Sequence, residues 1–193
     1  MPGGPIDLAL QIAALLDSLA IPYVLGGSLA SSLVGEPRTT LDLDFAIRLR
    51  SEDVAPLLAA LGTEYYVSSE AVQSAVARTA SFNIVKLDSV EKVDLFVLGD
   101  GLLDRRQLAR RQRLVVSESP RRELWVGSPE DQVLRKLDGY RAGGGVSDRQ
   151  WRDVLGILAV QAARLDRADL ESAAADLGLA ELLARAFQEA GVD

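Results

Sequence analysis

An α+β fold is what this sequence predicts, with an α/β part over residues 1–127 and a helical part over residues 128–193. Three observations carry that prediction. Short strand-like apolar runs alternate with amphipathic, helix-length segments as far as about residue 127. From Ser128-Pro129-Glu130 onward only helical segments follow, and that triplet is itself a helix start: a capping serine, a first-turn proline and an acid. Early in the chain, Gly26-Gly27-Ser28 joins a strand to a short helix, and Asp42-Leu43-Asp44 lies on the strand after it.

The elements follow in order. Leu8, Ile12, Leu15, Leu16 and Leu19 fall on one face of a helix over residues 6–19, which Pro22 ends. Tyr23 to Leu25 is a short strand feeding the double glycine. Ser28 to Val34 is a helix with Ser28 near its start as a cap. Leu41 to Leu49 is a strand in which Leu41, Leu43 and Phe45 take one face, while Asp42 and Asp44 take the other. Ser51 caps a helix to Leu61, with Glu52 and Asp53 in its first turn, where they suit the helix dipole. A short strand over Tyr65 to Ser68 and a helix over Ser69 to Ala77 follow. Phe82 to Leu87 and Lys92 to Leu98 pair as strands about a turn near Asp88 and Ser89. Leu102 to Arg111 is helical, and Leu114 to Ser117 and Glu123 to Val126 are strands. The helices of the second part span 129–141, 148–163, 167–177 and 179–190, with Gly143-Gly144-Gly145 between the first two.

Composition removes whole classes of chemistry. The 193 residues include no cysteine and no histidine. That excludes disulfides, thiolate nucleophiles and Cys/His zinc sites, and also any histidine base or Ser-His-Asp triad. Catalysis must then use carboxylates, lysine, tyrosine, serine or a metal held by oxygen. A hydrophobic content of 48% fits a soluble globular protein. No apolar run approaches the ~20 residues that span a bilayer, and no basic stretch precedes an apolar one at the N-terminus. The expectation is a cytoplasmic protein with no membrane partner. A net charge of −7 speaks against broad nucleic-acid binding. Yet Arg105, Arg106, Arg110, Arg111 and Arg113 crowd together, with Arg121 and Arg122 beyond them. They read either as a solvated helix face or as a local strip for tRNA or another polyanion.

The chemistry concentrates at the double glycine and the acidic strand. Two carboxylates side by side on a strand repel, and Asp is disfavoured there. A divalent cation resolves the conflict, because hard oxygen ligands suit magnesium. Glycines before a helix present backbone N–H groups that suit phosphate. Together these are the equipment of phosphoryl or nucleotidyl transfer. Asp94 is a third acid, alone within the apolar run Val93 to Val97, where a carboxylate is costly unless paired or metal-bound.

The segment resembles the nucleotidyltransferases of the DNA polymerase β superfamily. These carry a Gly-Gly or Gly-Ser pair, a short helix, and then Asp-x-Asp or Asp-x-Glu on the next strand. The wording Gly26, Gly27, Ser28, Arg38, Thr40, Asp42 and Asp44 is most similar to AbiEii-type and related small bacterial transferases. The resemblance runs from residue 23 to about 158. It implies a mixed-sheet nucleotidyltransferase fold followed by a C-terminal helical bundle. It also implies magnesium-dependent transfer of a nucleoside monophosphate from an NTP to a hydroxyl of tRNA or protein, in a toxin-like enzyme with a cognate antitoxin. Asp42 and Asp44 would hold two Mg2+ ions, and Asp94 would complete the set and help deprotonate the acceptor; Asp88 and Asp100, in turn contexts, match less well. Gly26, Gly27 and Ser28 would hold the β and γ phosphates, the second glycine leaving room for them. Arg38 and Thr40 match family positions beside the site. Lys136 matches a Lys-Leu pair whose lysine reaches the nucleotide phosphates. Asp148 or Asp153 corresponds to an acid on the next helix. Two other readings compete: a catalytically inactive module of the same fold, acting as a binding or antitoxin-like partner, and an antibiotic-modifying transferase whose acidic cleft attracts a cationic acceptor.

Overall fold

The structure, a computed structural model, describes residues 4–37 and 39–192. Arg38 therefore lies outside the described residues. In chain order the elements are α1 (Pro5–Ser18), β1 (Tyr23–Leu25), α2 (Gly27–Val34), β2 (Leu43–Ile47), α3 (Val54–Leu61), β3 (Tyr65–Tyr66), α4 (Ser69–Arg78), β4 (Ser81–Lys86), β5 (Glu91–Val97), α5 (Leu102–Ala109), β6 (Gln112–Glu118), β7 (Arg121–Val126), α6 (Pro129–Ala142), α7 (Asp148–Gln161), α8 (Arg167–Asp176) and α9 (Ala180–Ala190). They divide into two compact units. One comprises Met1–Leu29 with Thr40–Val126, the other Ala30–Thr39 with Gly127–Asp193.

The first unit is organised by a seven-stranded sheet in the order β3-β4-β5-β2-β1-β7-β6. It is a mixed sheet: β2 runs parallel to β5 and β1 parallel to β7, while the other neighbours are antiparallel. Strand alternation gives it one apolar face. Leu43, Phe45 and Ile47 of β2, Phe82 and Ile84 of β4, and Val93, Leu95 and Val97 of β5 are all buried. Leu8, Ile12 and Leu16 of α1, Leu57 and Leu61 of α3, and Val72 and Ala75 of α4 are buried with them. Fully burying one such Leu, Ile, Val or Phe side chain stabilises by about 1.5–3 kcal/mol. The same alternation sends Asp44, Ala46, Asn83, Asp94 and Phe96 to the opposite, more open face.

Three expectations need correction here. The acidic strand is shorter than the periodicity implies: β2 starts at Leu43, and Leu41 is 79% exposed instead of joining the apolar face. Ser51 opens a 3-10 turn, and the local cap is Asp53, whose Oδ2 accepts the Arg50 N–H at 3.0 Å. The arginine cluster is not one solvated helix face. Helix α5 ends at Ala109, and Arg111 and Arg113 both stack on Trp125, at 4.6 and 4.4 Å from its ring centroid. Arg111 also donates to the Tyr23 carbonyl at 2.9 Å.

In the second unit each of three helices starts on a side-chain cap. Ser128 Oγ accepts from Asp131 N–H, Ser147 Oγ from Gln150 N–H, and Asp166 from Asp169 N–H. Gly144 and Gly145, at φ +77° and +74°, turn the chain between α6 and α7. Val133, Leu134 and Leu137 of α6, Val154, Ile157 and Leu158 of α7, Leu170 of α8 and Leu183 of α9 form its core. Residues 30–39, which periodicity assigns to the α/β part, belong here. Gly35 lies so close to Ile157 that an added Cβ would meet it at 3.0 Å, and the Gln161 amide donates to the Val34 carbonyl. Among the described residues no helix is long and apolar enough to cross a membrane.

Candidate functional site

The site is assembled from the middle of the sheet. Strands β2 and β5 run parallel with Asp44 opposite Asp94, and β4 sets Asn83 opposite Asp94. Neighbouring strands lie about 4.8 Å apart, so the two aspartates stand side by side on the same face. Both are half-buried, held at the backbone by ladders that continue on either side.

The double glycine adjoins this pair, and its two members differ in their work. Gly26 N–H donates to the Asp44 carbonyl at 2.8 Å, carrying the β1–β2 ladder one residue further. A Cβ at Gly26 would meet only that carbonyl, at an ordinary 3.7 Å. Gly27 starts α2 at φ +61°, and a Cβ there would stand 1.8 Å from Asp44 Oδ2. The second glycine thus makes room for the Asp44 carboxylate, where the sequence suggested room for phosphate. Ser28 follows, 6% exposed, in the first turn of α2.

Asp42 lies just ahead of β2 and is exposed. Its N–H donates to Thr40 Oγ1 at 3.2 Å, so Thr40 shapes the approach to the strand through its hydroxyl. One residue missed by sequence reasoning belongs beside these acids. Lys92 Nζ lies 2.8 Å from Asp94 Oδ2. Its pKa is raised first by the hydrogen bond to Asp94 and by that charge, then by Asp42 and Asp44. One ammonium therefore feels all three aspartates. The signal was present in the sequence: a lysine two residues before Asp94 on a strand shares its face.

Among the described residues no three acidic side chains are gathered as a ready metal cluster. The donor set nevertheless suits a hard divalent cation. It consists of carboxylate oxygens on an open sheet face, two of them from side chains in register, and it already attracts a cation, Lys92. The same face carries two exposed rings, Phe96 at 44% and Tyr66 at 63%, with Phe96 two residues beyond Asp94 on β5.

Lys136 is differently placed. Its Nζ lies 2.7 Å from Asp153 Oδ2 within the helical unit, with side chains only 13% and 6% exposed. The ammonium is thus taken up by a buried carboxylate. Asp148, the other acid singled out on this helix, sits exposed in the first turn of α7, where its carbonyl accepts from Arg152 Nε at 3.4 Å.

No protein-family profile matches the chain, and no curated protein matches it by sequence. Solved structures do match. An antigenic nucleotidyltransferase-like protein from Paracoccidioides brasiliensis aligns with a TM-score of 0.56 at 20% identity, over 95% of this chain and 92% of that one. The antibiotic-resistance factor ANT(2'')-Ia aligns with a TM-score of 0.54 at 16% identity, over 90% and 93%. The lincosamide antibiotic adenylyltransferase LnuA, in its lincomycin-bound form, aligns with a TM-score of 0.50 at 10% identity, over 78% and 94%. At such identities the likeness is one of fold. The chain has a mixed α/β nucleotidyltransferase fold with C-terminal helices.

Proposed function

We propose that this chain is a magnesium-dependent nucleotidyltransferase that moves a nucleoside monophosphate from an NTP to an acceptor hydroxyl. The observation that carries the reading is Asp44 in register with Asp94, directly against the glycine-opened start of α2. In this reading backbone N–H groups at Gly27 and Ser28, with the Ser28 hydroxyl, hold the β and γ phosphates. Asp42 and Asp44 hold the divalent cations, and Asp94 shares one of them. Bound Mg2+ supplies neutralisation of the triphosphate charge and a lowered pKa for the acceptor hydroxyl. Asp94 receives the acceptor proton as the acceptor oxygen bonds to the α-phosphorus. The bond between the α-phosphorus and the bridging oxygen breaks, and pyrophosphate leaves with that electron pair. Gly26 and Thr40 act through the backbone around Asp44 and Asp42, and Arg38 is assigned to phosphate. Lys136 is assigned the neutralisation of Asp153 in place of a direct phosphate contact.

For the acceptor, the motif wording supports tRNA or protein, in a toxin-like enzyme held by an antitoxin. A second reading is supported by the two antibiotic-resistance proteins among the fold's relatives and by the net charge of −7. It makes the acceptor a cationic small molecule, drawn to an acidic site. Incubation with each labelled NTP and Mg2+, in parallel with tRNA, total protein and aminoglycosides, separates them by which fraction takes the label. Absence of label in every fraction, together with absence of Mg2+-dependent NTP binding, would overturn the enzymatic reading in favour of a non-catalytic module of this fold.

A further inference from the structure

The aspartate site contains a cation of the chain's own. Asp42, Asp44 and Asp94 bring three negative charges to one region of the sheet, an arrangement that is self-repelling without a counterion. Lys92 is built to supply one. It lies on β5 two residues from Asp94, its Nζ sits 2.8 Å from Asp94 Oδ2, and its side chain is 53% exposed. Asp94 is 27% exposed in the same pair. The contrast with Lys136 is instructive. That lysine and Asp153 are 13% and 6% exposed, so parting them strands a buried charge, whereas Lys92 can turn into water from where it stands. A pair at the solvent edge is weakly held, and a divalent cation carries twice the charge to the same oxygens.

We propose that Lys92 is a resident counterion of the aspartate site: its ammonium occupies Asp94 in the metal-free protein and leaves it when a divalent cation binds. The inference rests on the reading that these carboxylates hold a metal, and it adds the competitor against which the metal must bind. Lys92 then sets the metal affinity and limits occupancy when no nucleotide brings further negative charge. It is a positioning residue, acting through Asp94.

The test is Mn2+ binding to the nucleotide-free protein, read from the signal of free Mn2+ by electron paramagnetic resonance. Wild type, Lys92→Met and Lys92→Arg are compared, with melting temperatures in chelator and in Mg2+. Lys92→Met is expected to bind Mn2+ more tightly, on the order of tenfold, from removal of one unit charge a few ångströms from the cation. It should also melt below wild type in chelator and regain the difference in Mg2+. Lys92→Arg keeps the charge and should behave as wild type. Equal or weaker Mn2+ binding by Lys92→Met overturns the inference while leaving the metal site standing. Absence of Mn2+ binding by all three proteins, with NTP also present, overturns the metal reading and this inference with it.

Discussion

Gly27→Ala probes the closest packing in the site. The added Cβ would stand 1.8 Å from Asp44 Oδ2, 2.5 Å from its Cγ and 2.7 Å from its Cβ. Non-bonded heavy atoms settle near 3.5–4 Å, so the carboxylate must retreat by roughly 1.5–2 Å, or the start of α2 must open by as much. Gly27 also sits at φ +61°, where a side chain adds about 1–2 kcal/mol of backbone strain. In a chain of this size that strain lowers the melting temperature by about 2–8 °C. A displacement on the order of 1 Å in a catalytic group can cost about 100-fold in rate, or about 2.7 kcal/mol of transition-state stabilisation. The expected result is a loss of about 100-fold in transfer from a protein that still folds. Gly26→Ala is the internal control, because its Cβ meets only the Asp44 carbonyl at 3.7 Å. The assay is transfer from labelled NTP, with calorimetric titration of NTP·Mg2+ as a readout that needs no acceptor, and thermal melts of both variants. If Gly27→Ala matches Gly26→Ala in nucleotide affinity, turnover and melting, the contact between α2 and Asp44 does not control the site.

Four further outcomes follow from the same geometry. Asp44→Asn should abolish transfer while holding or slightly raising the melting temperature in chelator, since it relieves repulsion with its neighbours; wild-type turnover would remove Asp44 from the site, and an unfolded variant would make it structural. NTP at about 100 times its Kd should stabilise the protein by about 2.7 kcal/mol in Mg2+ and far less in EDTA, and equal shifts in the two buffers would point to a metal-independent site. Lys136→Met should destabilise by about 3 kcal/mol through the stranded Asp153, with Asp153→Asn added to it recovering part of the loss; a stable Lys136→Met with weakened nucleotide binding would instead restore a phosphate role to this lysine. Burial, and then the charge of Asp17, push the Tyr23 hydroxyl up to about 12 from its ordinary 10.0. The folded state thus retains a proton that the unfolded state releases first, so this contribution is full below pH ~10 and is lost as pH rises from there through about 12. Urea unfolding between pH 8.5 and 11.5 should fall less steeply for Tyr23→Phe, and identical slopes would contradict that assignment.

Local signals made much of the fold legible. The caps at Ser128 and the glycine break after α6 are written in residues whose backbone preferences act within one turn. The pairing of β4 with β5 is nearly as local, because a hairpin joins adjacent segments. Alternation placed Asp44 and Asp94 on polar strand faces, and the absence of histidine and cysteine left carboxylates as the site's chemistry. Alternation failed at Leu41, because it cannot say where a strand begins. That depends on whether a neighbour pairs with it, and β5 takes up β2 only from Leu43.

What tertiary structure alone decided is which local groups meet. The sequence determined the order of the elements, the strand-turn-helix-strand motif and three acids without a histidine or cysteine among them. Parallel pairing of β2 with β5, across more than forty residues of intervening chain, set Asp44 beside Asp94. The approach of α2 gave Gly27 its purpose, which is space for a carboxylate. Packing likewise distributed the lysines: Lys136 went to buried Asp153, and Lys92 to Asp94 at the solvent edge. Propensity and capping act over a few residues and survive in the one-dimensional text. Register, close approach and charge pairing are properties of segments distant in the chain, and they take definite values only when the sheet and the helices close.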